Sequence, residues 1–142
     1  MSQIDATLDY CLRHSSSLGG LLHDLERETH LRTLAPQMLS GEYQGQLLRF
    51  LSLMLRPRRV LEIGTFTGYT AICMAEGLAE EGMLHTIEAN DELGWLIRKY
   101  VARAGMENKV TLHLGDAAKV IPTLDEMFDL VFLDAGKLDY PQ

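Results

Sequence analysis

Cysteine is nearly absent from this sequence: Cys11 and Cys73 are the only two. They form no C-x-x-C pair and lie at no Cys/His metal spacing, which excludes a disulfide-built scaffold and reads as reduced, mostly buried thiols. His14, His23, His30, His85 and His113 likewise lack the spacing of metal ligands. No apolar run approaches the ~18 residues of a membrane span, so no membrane partner is expected. The first ten residues carry no basic run followed by an apolar stretch, so no signal peptide is read there and the expected location is the cytoplasm. Positive charge is also scarce, with 13 Lys and Arg against 20 Asp and Glu, a net −7. An acidic surface repels phosphate backbones, and the only basic groups are short, such as Arg56, Arg58 and Arg59 or Arg98 and Lys99. Nucleic acid is therefore not an expected partner. Internal repeats and low-complexity linkers are absent too.

What is present suits a packed core. Hydrophobic residues are 46% of 142 positions, enough for a chain of this size to bury roughly two-thirds of its unfolded surface. That predicts one domain over residues 1–142, in two zones. Residues 1–56 read as a helical segment, in which Leu21, Leu22 and Leu25 share a face, as do Leu47, Leu48 and Leu51. Gly19-Gly20 and Pro36 break this segment, and Ser40 is placed to cap the helix after it.

Residues 57–142 change rhythm. Val60–Ile63, Leu84–Glu88, Lys109–Leu114 and Phe128–Leu133 read as strands. Between them the spacing predicts helices to about Glu80, over Asp91–Ala104, and from Asp116 to near Pro122. Such alternation predicts an α/β fold, an open Rossmann-like sheet of parallel strands preceded by N-terminal helices. In that order strand 4 lies beside strand 1 and would be an apolar open edge, which soluble proteins avoid. The expectation is a fragment of a longer protein; the alternative is a second chain covering that edge.

Open α/β sheets bind ligands at the carboxyl ends of their strands. Here those ends read Glu62-Ile63-Gly64-Thr65-Phe66-Thr67-Gly68, then Glu88, then Gly115-Asp116-Ala117, then Asp134-Ala135-Gly136-Lys137. Gly64 and Gly68 flank a turn where a ligand can approach the backbone. The spacing is neither the G-x-G-x-x-G of a dinucleotide fold nor a phosphate loop. Glu62 is a carboxylate inside an apolar strand and needs a partner, either a cationic ligand group or an arginine. Glu88 can accept both hydroxyls of a ribose or serve as a helix-start charge. Asp116 can reach an adenine amino group or cap its own helix. His85 and His113 read as satisfied core or edge residues of their strands; Trp95 and Tyr100 fall on the helix after the second strand, where Trp95 reads as core, with the lining of an adenine pocket as the alternative.

Leu61-Glu62-Ile63-Gly64-Thr65-Phe66-Thr67-Gly68-Tyr69-Thr70-Ala71 resembles the cofactor-binding motif of the cation-dependent O-methyltransferases, the catechol and caffeoyl-CoA O-methyltransferase family. Met38–Gln46 and Asp129–Lys137 with Tyr140 extend the likeness over about residues 30–142. The resemblance implies S-adenosyl-L-methionine as cofactor. Glu62, Gly64 and Thr65 would surround its methionine part, with Gly68 closing the glycine turn of the same motif. Thr70 would lie near its carboxylate, Ser40 would offer backbone contacts, and Glu88 would bind its ribose. Asp116 and Ala117 would sit by the adenine, and Met38 would line the methyl-transfer region. It also implies Asp134 as the first ligand of Mg2+ or another divalent cation, Lys137 as general base, a small hydroxylated acceptor of catechol type, and a homodimer.

Position 136 is Gly where the family often has Asp, and the family's remaining metal ligands, an Asp and an Asn, lie further along than this sequence runs. The chain alone is therefore not expected to complete a metal site. A non-catalytic module that keeps the cofactor pocket is the main rival. A nucleic-acid or protein methyltransferase is disfavoured by Asp134-Ala135-Gly136-Lys137 in place of an Asp/Asn-Pro-Pro-aromatic segment, and a nicotinamide dehydrogenase by the missing second close glycine.

Overall fold

Four short apolar segments form one parallel sheet: β1 (Arg59–Ile63), β2 (Met83–Glu88), β3 (Val110–Leu114) and β4 (Leu130–Leu133), ordered β3-β2-β1-β4. A computed structural model describes residues 3–136. The chain lays β1, β2 and β3 outward in turn, then returns to place β4 on the other side of β1. That reversal is where a crevice opens at the strand tips of such sheets. In this register Glu62 lies opposite Thr86 on β2 and Phe132 on β4.

Helices cover the sheet: α1 (Gln3–Arg13), α2 (Gly20–Arg32), α3 (Gly41–Leu55), α4 (Tyr69–Ala75), α5 (Gly94–Arg103) and α6 (Ala117–Val120). All seven residues of α4 are buried, as expected of a helix that is apolar all round. Its far end is fixed where Ser52 of α3 donates its hydroxyl to the Met74 carbonyl at 2.6 Å. The core is built by Leu22, Leu25, Leu48, Val60, Ile72, Met74, Leu84, Leu96, Ile97 and Tyr100. No described helix is long and apolar enough to cross a membrane.

Several boundaries differ from the sequence reading. The helix after β1 stops at Ala75 and does not run to Glu80: the chain leaves it through turns in which the Gly77 N–H donates to Met74 and that of Leu78 to Ala75, and Gly77 passes against the Ser52 backbone where a Cβ would not fit. β4 begins at Leu130 and not Phe128. Asp129, between them, uses its carboxylate to accept the N–H groups of Arg58 and Arg59 at 2.7 and 2.9 Å, tying the start of β4 to the start of β1. Ser40 occupies the N-cap position of α3 but makes no side-chain capping bond. Trp95 is 51% exposed, so it does not belong to the core, whereas Tyr100 does. His85 and His113 stack and share a hydrogen bond of 2.9 Å, but the expectation of satisfied strand residues fails for His85, whose buried Nε2 has no hydrogen-bond partner and only approaches the Glu126 carboxylate at 3.4 Å.

β4 lies at the sheet edge among the described residues. Leu130 and Phe132 pack on the core while Val131 and Leu133 remain 55% and 45% exposed. The apolar edge expected from the sequence is thus present.

Candidate functional site

The carboxyl ends of all four strands open on one cavity of about 410 Å3, within the ~300–1,000 Å3 of small-ligand pockets. Its floor is the β1–α4 turn. Gly64 has φ +97°, and a Cβ there would overlap the Asp134 carbonyl, so both the backbone angle and the close approach of β4 require glycine. The N–H groups of Gly64 and Thr65 both donate to the Ile87 carbonyl, at 3.0 and 3.3 Å, and that of Gly68 closes the turn onto Thr65 at 3.0 Å. Gly68 itself faces Ile97 and not the cavity.

Glu88, at the tip of β2, is held by two backbone donors. Its Oε2 accepts the Phe66 N–H at 2.7 Å and its Oε1 the Asn90 N–H at 2.9 Å. The carboxylate is fixed in the wall as an acceptor. Holding it there places Phe66 at φ +53°, a left-handed conformation uncommon for a bulky side chain.

Glu62 does not reach the cavity wall. It is fully buried behind it, and it meets neither an arginine nor open ligand space. The Thr70 hydroxyl donates to Oε1 and the Thr86 hydroxyl to Oε2 at 2.6 Å. Burial pushes its pKa up to about 7; the two hydroxyls oppose this, and the charges of Asp134 and Glu88 add to it. Both sequence readings of its partner are replaced by a third: neutral hydroxyls from α4 and β2.

Asp116 caps α6, accepting the Ala118 N–H at 3.0 Å, while its neighbours Gly115 and Ala117 line the cavity. Asp134, Ala135 and Gly136 form the wall at the β4 tip, and Met38, Leu39 and Ser40 close over the opposite side. Of the residues singled out from sequence, Ser40, Gly64, Thr65, Thr70, Glu88, Ala117 and Asp134 therefore converge, with Met38 beside them. Glu62, Gly68 and Asp116 stand behind them as supports. Lys137 and Tyr140 lie outside the described residues. Tyr69, Ile87, Leu39 and Ala89 also line the cavity and had no assigned role. Each sits beside a residue that had one, which was the available signal.

The acidic residues lining the cavity are Glu88 and Asp134, and no Lys, Arg or His is among the described lining residues. The site thus favours positive charge. For a divalent cation the described residues do not suffice. Asp134 supplies one carboxylate, and no three His, Cys, Asp or Glu side chains among the described residues come together to hold an ion.

Comparison with known proteins agrees with this geometry. A catechol O-methyltransferase of Niastella koreensis is 34% identical over 111 residues, covering 75% of this chain and 50% of that protein. The Streptomyces achromogenes O-methyltransferase TomG, solved with SAM, superposes at a TM-score of 0.89 with 32% identity, over 99% of this chain and 66% of that one. The SAH-bound Podospora anserina methyltransferase PaMTH1 superposes at 0.90 with 29% identity, over 96% and 59%. The chain spans about half the length of the curated relatives it matches. A family model described as O-methyltransferase matches residues 12–142, and on that match the chain belongs to the O-methyltransferase family.

Proposed function

We propose that this chain is the cofactor-binding part of an S-adenosylmethionine-dependent O-methyltransferase that acts on a small hydroxylated, catechol-like acceptor. The observation that carries the reading is a cavity at the switch point of the sheet lined by two acidic residues and by no basic side chain among its described lining residues. S-adenosylmethionine brings two positive centres, a sulfonium and an ammonium, and a ribose diol suited to the immobilised Glu88 carboxylate. SAM and SAH in the two similar structures support the same ligand.

In the transfer itself the acceptor oxygen attacks the methyl carbon as the carbon–sulfur bond breaks, and the sulfonium leaves as a neutral thioether. Such a displacement depends on positioning. The glycine turn brings the ligand against the backbone, and the fixed Glu88 holds the nucleoside. Lys137 as base for the acceptor hydroxyl, and a divalent cation at Asp134, belong to the proposal on the family resemblance. A homodimer belongs to it too; the exposed Tyr43, Leu47, Phe50 and Met54 along α3 support it.

The test is methyl transfer from S-adenosylmethionine to catechol by the whole protein, with Mg2+ and with EDTA. Turnover that EDTA abolishes is the expected result. Cofactor binding without turnover would favour the non-catalytic module, and failure to bind the cofactor would overturn the reading.

A further inference from the structure

Away from the cavity, a second cluster of titratable side chains gathers at the segment that leads into β4. His85 Nδ1 of β2 and His113 Nε2 of β3 share a hydrogen bond of 2.9 Å, and Phe128 lies edge-on to His85. The other ring nitrogen of His85, Nε2, is buried without a hydrogen-bond partner, and Glu126 Oε2 stands 3.4 Å from it. The same oxygen pairs with Arg59 Nε of β1 at 3.0 Å. Each neutral imidazole carries one N–H. If His85 donates to His113, its Nε2 turns a bare lone pair toward a carboxylate; if His113 donates, His85 can offer Glu126 only a neutral N–H. One further proton changes this, because imidazolium has an N–H on both nitrogens and its bond to a carboxylate is charge-assisted.

We propose that His85, His113 and Glu126 form a pH-sensitive clasp: uptake of one proton makes His85 an imidazolium that donates Nδ1–H to His113 and Nε2–H to Glu126, and so draws the segment before β4 onto the sheet. His85 takes the proton because Glu126 stands beside it, whereas burial and the neighbouring His85 both hold His113 toward its neutral form. The charged groups around the pair are Glu126 and Arg59; Lys119 of α6, which packs on β2, is exposed and has no ion pair among the described residues. The clasp adds to a second fastening. Asp129, three residues after Glu126, accepts the N–H groups of Arg59 and Arg58, which hold its carboxyl below the usual range, so that fastening persists in weak acid and in base. The clasp is present in weak acid and is lost as pH rises through the titration of the pair.

The test is hydrogen exchange in the whole protein at the Asp129 amide, which donates to the Arg59 carbonyl at 2.8 Å and reports whether the start of β4 is seated. Protection, corrected for the intrinsic exchange rate, is compared at pH 5.5 and pH 8 in wild type, Glu126→Gln and His85→Gln. Glu62 titrates in the same window, but it is common to all three proteins and cancels. The ratio of protection at pH 5.5 to that at pH 8 should be about fivefold larger in wild type than in either variant, the size of a partly exposed ion pair. Equal ratios in the three proteins would overturn the proposal. Nitrogen-15 shifts of the imidazoles provide a second reading that needs no substitution, and they serve if His85→Gln does not fold. At pH 5.5 both ring nitrogens of His85 should carry hydrogen while His113 keeps one. A doubly protonated His113 beside a neutral His85 would overturn the clasp, as would a His85 that stays neutral at that pH.

Discussion

The backbone N–H of Phe66 donates to the Glu88 carboxylate at 2.7 Å, joining the tip of β2 to the turn after β1. One oxygen of Glu88 is used by Phe66 and the other by Asn90, so the orientation of the carboxylate in the cavity is set by main chain and not by rotamer preference. Glu88→Gln keeps the shape but can accept at only one of the two sites. Affinity for S-adenosylhomocysteine should fall roughly ten- to a hundredfold, as for loss of a charge-assisted hydrogen bond. Calorimetric titration of the variant checks this.

Gly64 carries two constraints at once, a left-handed backbone angle and contact with the Asp134 main chain. Gly64→Ala should destabilise the fold by about 3 kcal/mol, combining backbone strain with overpacking. Urea unfolding measures the loss. Hydrogen exchange at the Asp134 amide, which bonds to the Ile63 carbonyl at 2.9 Å, should quicken as β4 is pushed off.

Glu62 makes stability depend on pH in a direction opposite to that of most carboxylates. Its pKa rises from the ordinary 4.5 to about 7 on folding. The folded state therefore binds more protons than the unfolded state between those values. Stability is full below pH 4.5, falls as pH rises to about 7, and is level above, a loss of about 3 kcal/mol at ~1.4 kcal/mol per unit. Asp24, Glu28 and Asp129, whose pKa values are lowered by their partners, act in the opposite sense at lower pH. Comparing unfolding free energies of wild type and Glu62→Gln at pH 5 and pH 8 isolates the Glu62 contribution, which should vanish in the variant.

Ser52 and the Met74 carbonyl form a buried bond that anchors α4 to α3. Ser52→Ala removes the hydroxyl donor while the Gly77 N–H still donates to that carbonyl at 3.1 Å, and should cost about 0.5–1.5 kcal/mol. Thermal unfolding should register it while ligand affinity changes little, since neither residue lines the cavity.

The sheet was readable because each strand is a short apolar run ended by glycine or a carboxylate, and the return of β4 to β1 follows from the doubly wound pattern. The cavity was readable for the same reason: the residues at strand tips are polar where the strands are not. What could not be read depends on register. Thr86 lies opposite Glu62 only once β1 and β2 are paired, so the sequence alone points to a ligand cation or an arginine where the structure has threonine hydroxyls. The short α4 is another case, because just past its end Gly77 packs against Ser52, a residue on a different helix. Trp95 is a third case: nothing in its local pattern shows that it lies half-exposed on α5.

Titration of the whole protein with S-adenosylmethionine tests most directly whether the four strand tips form one site for a cationic nucleoside. The account predicts binding of one molecule per chain in wild type and near-complete loss in Glu88→Ala. No binding by the wild type, or undiminished binding by Glu88→Ala, would contradict it.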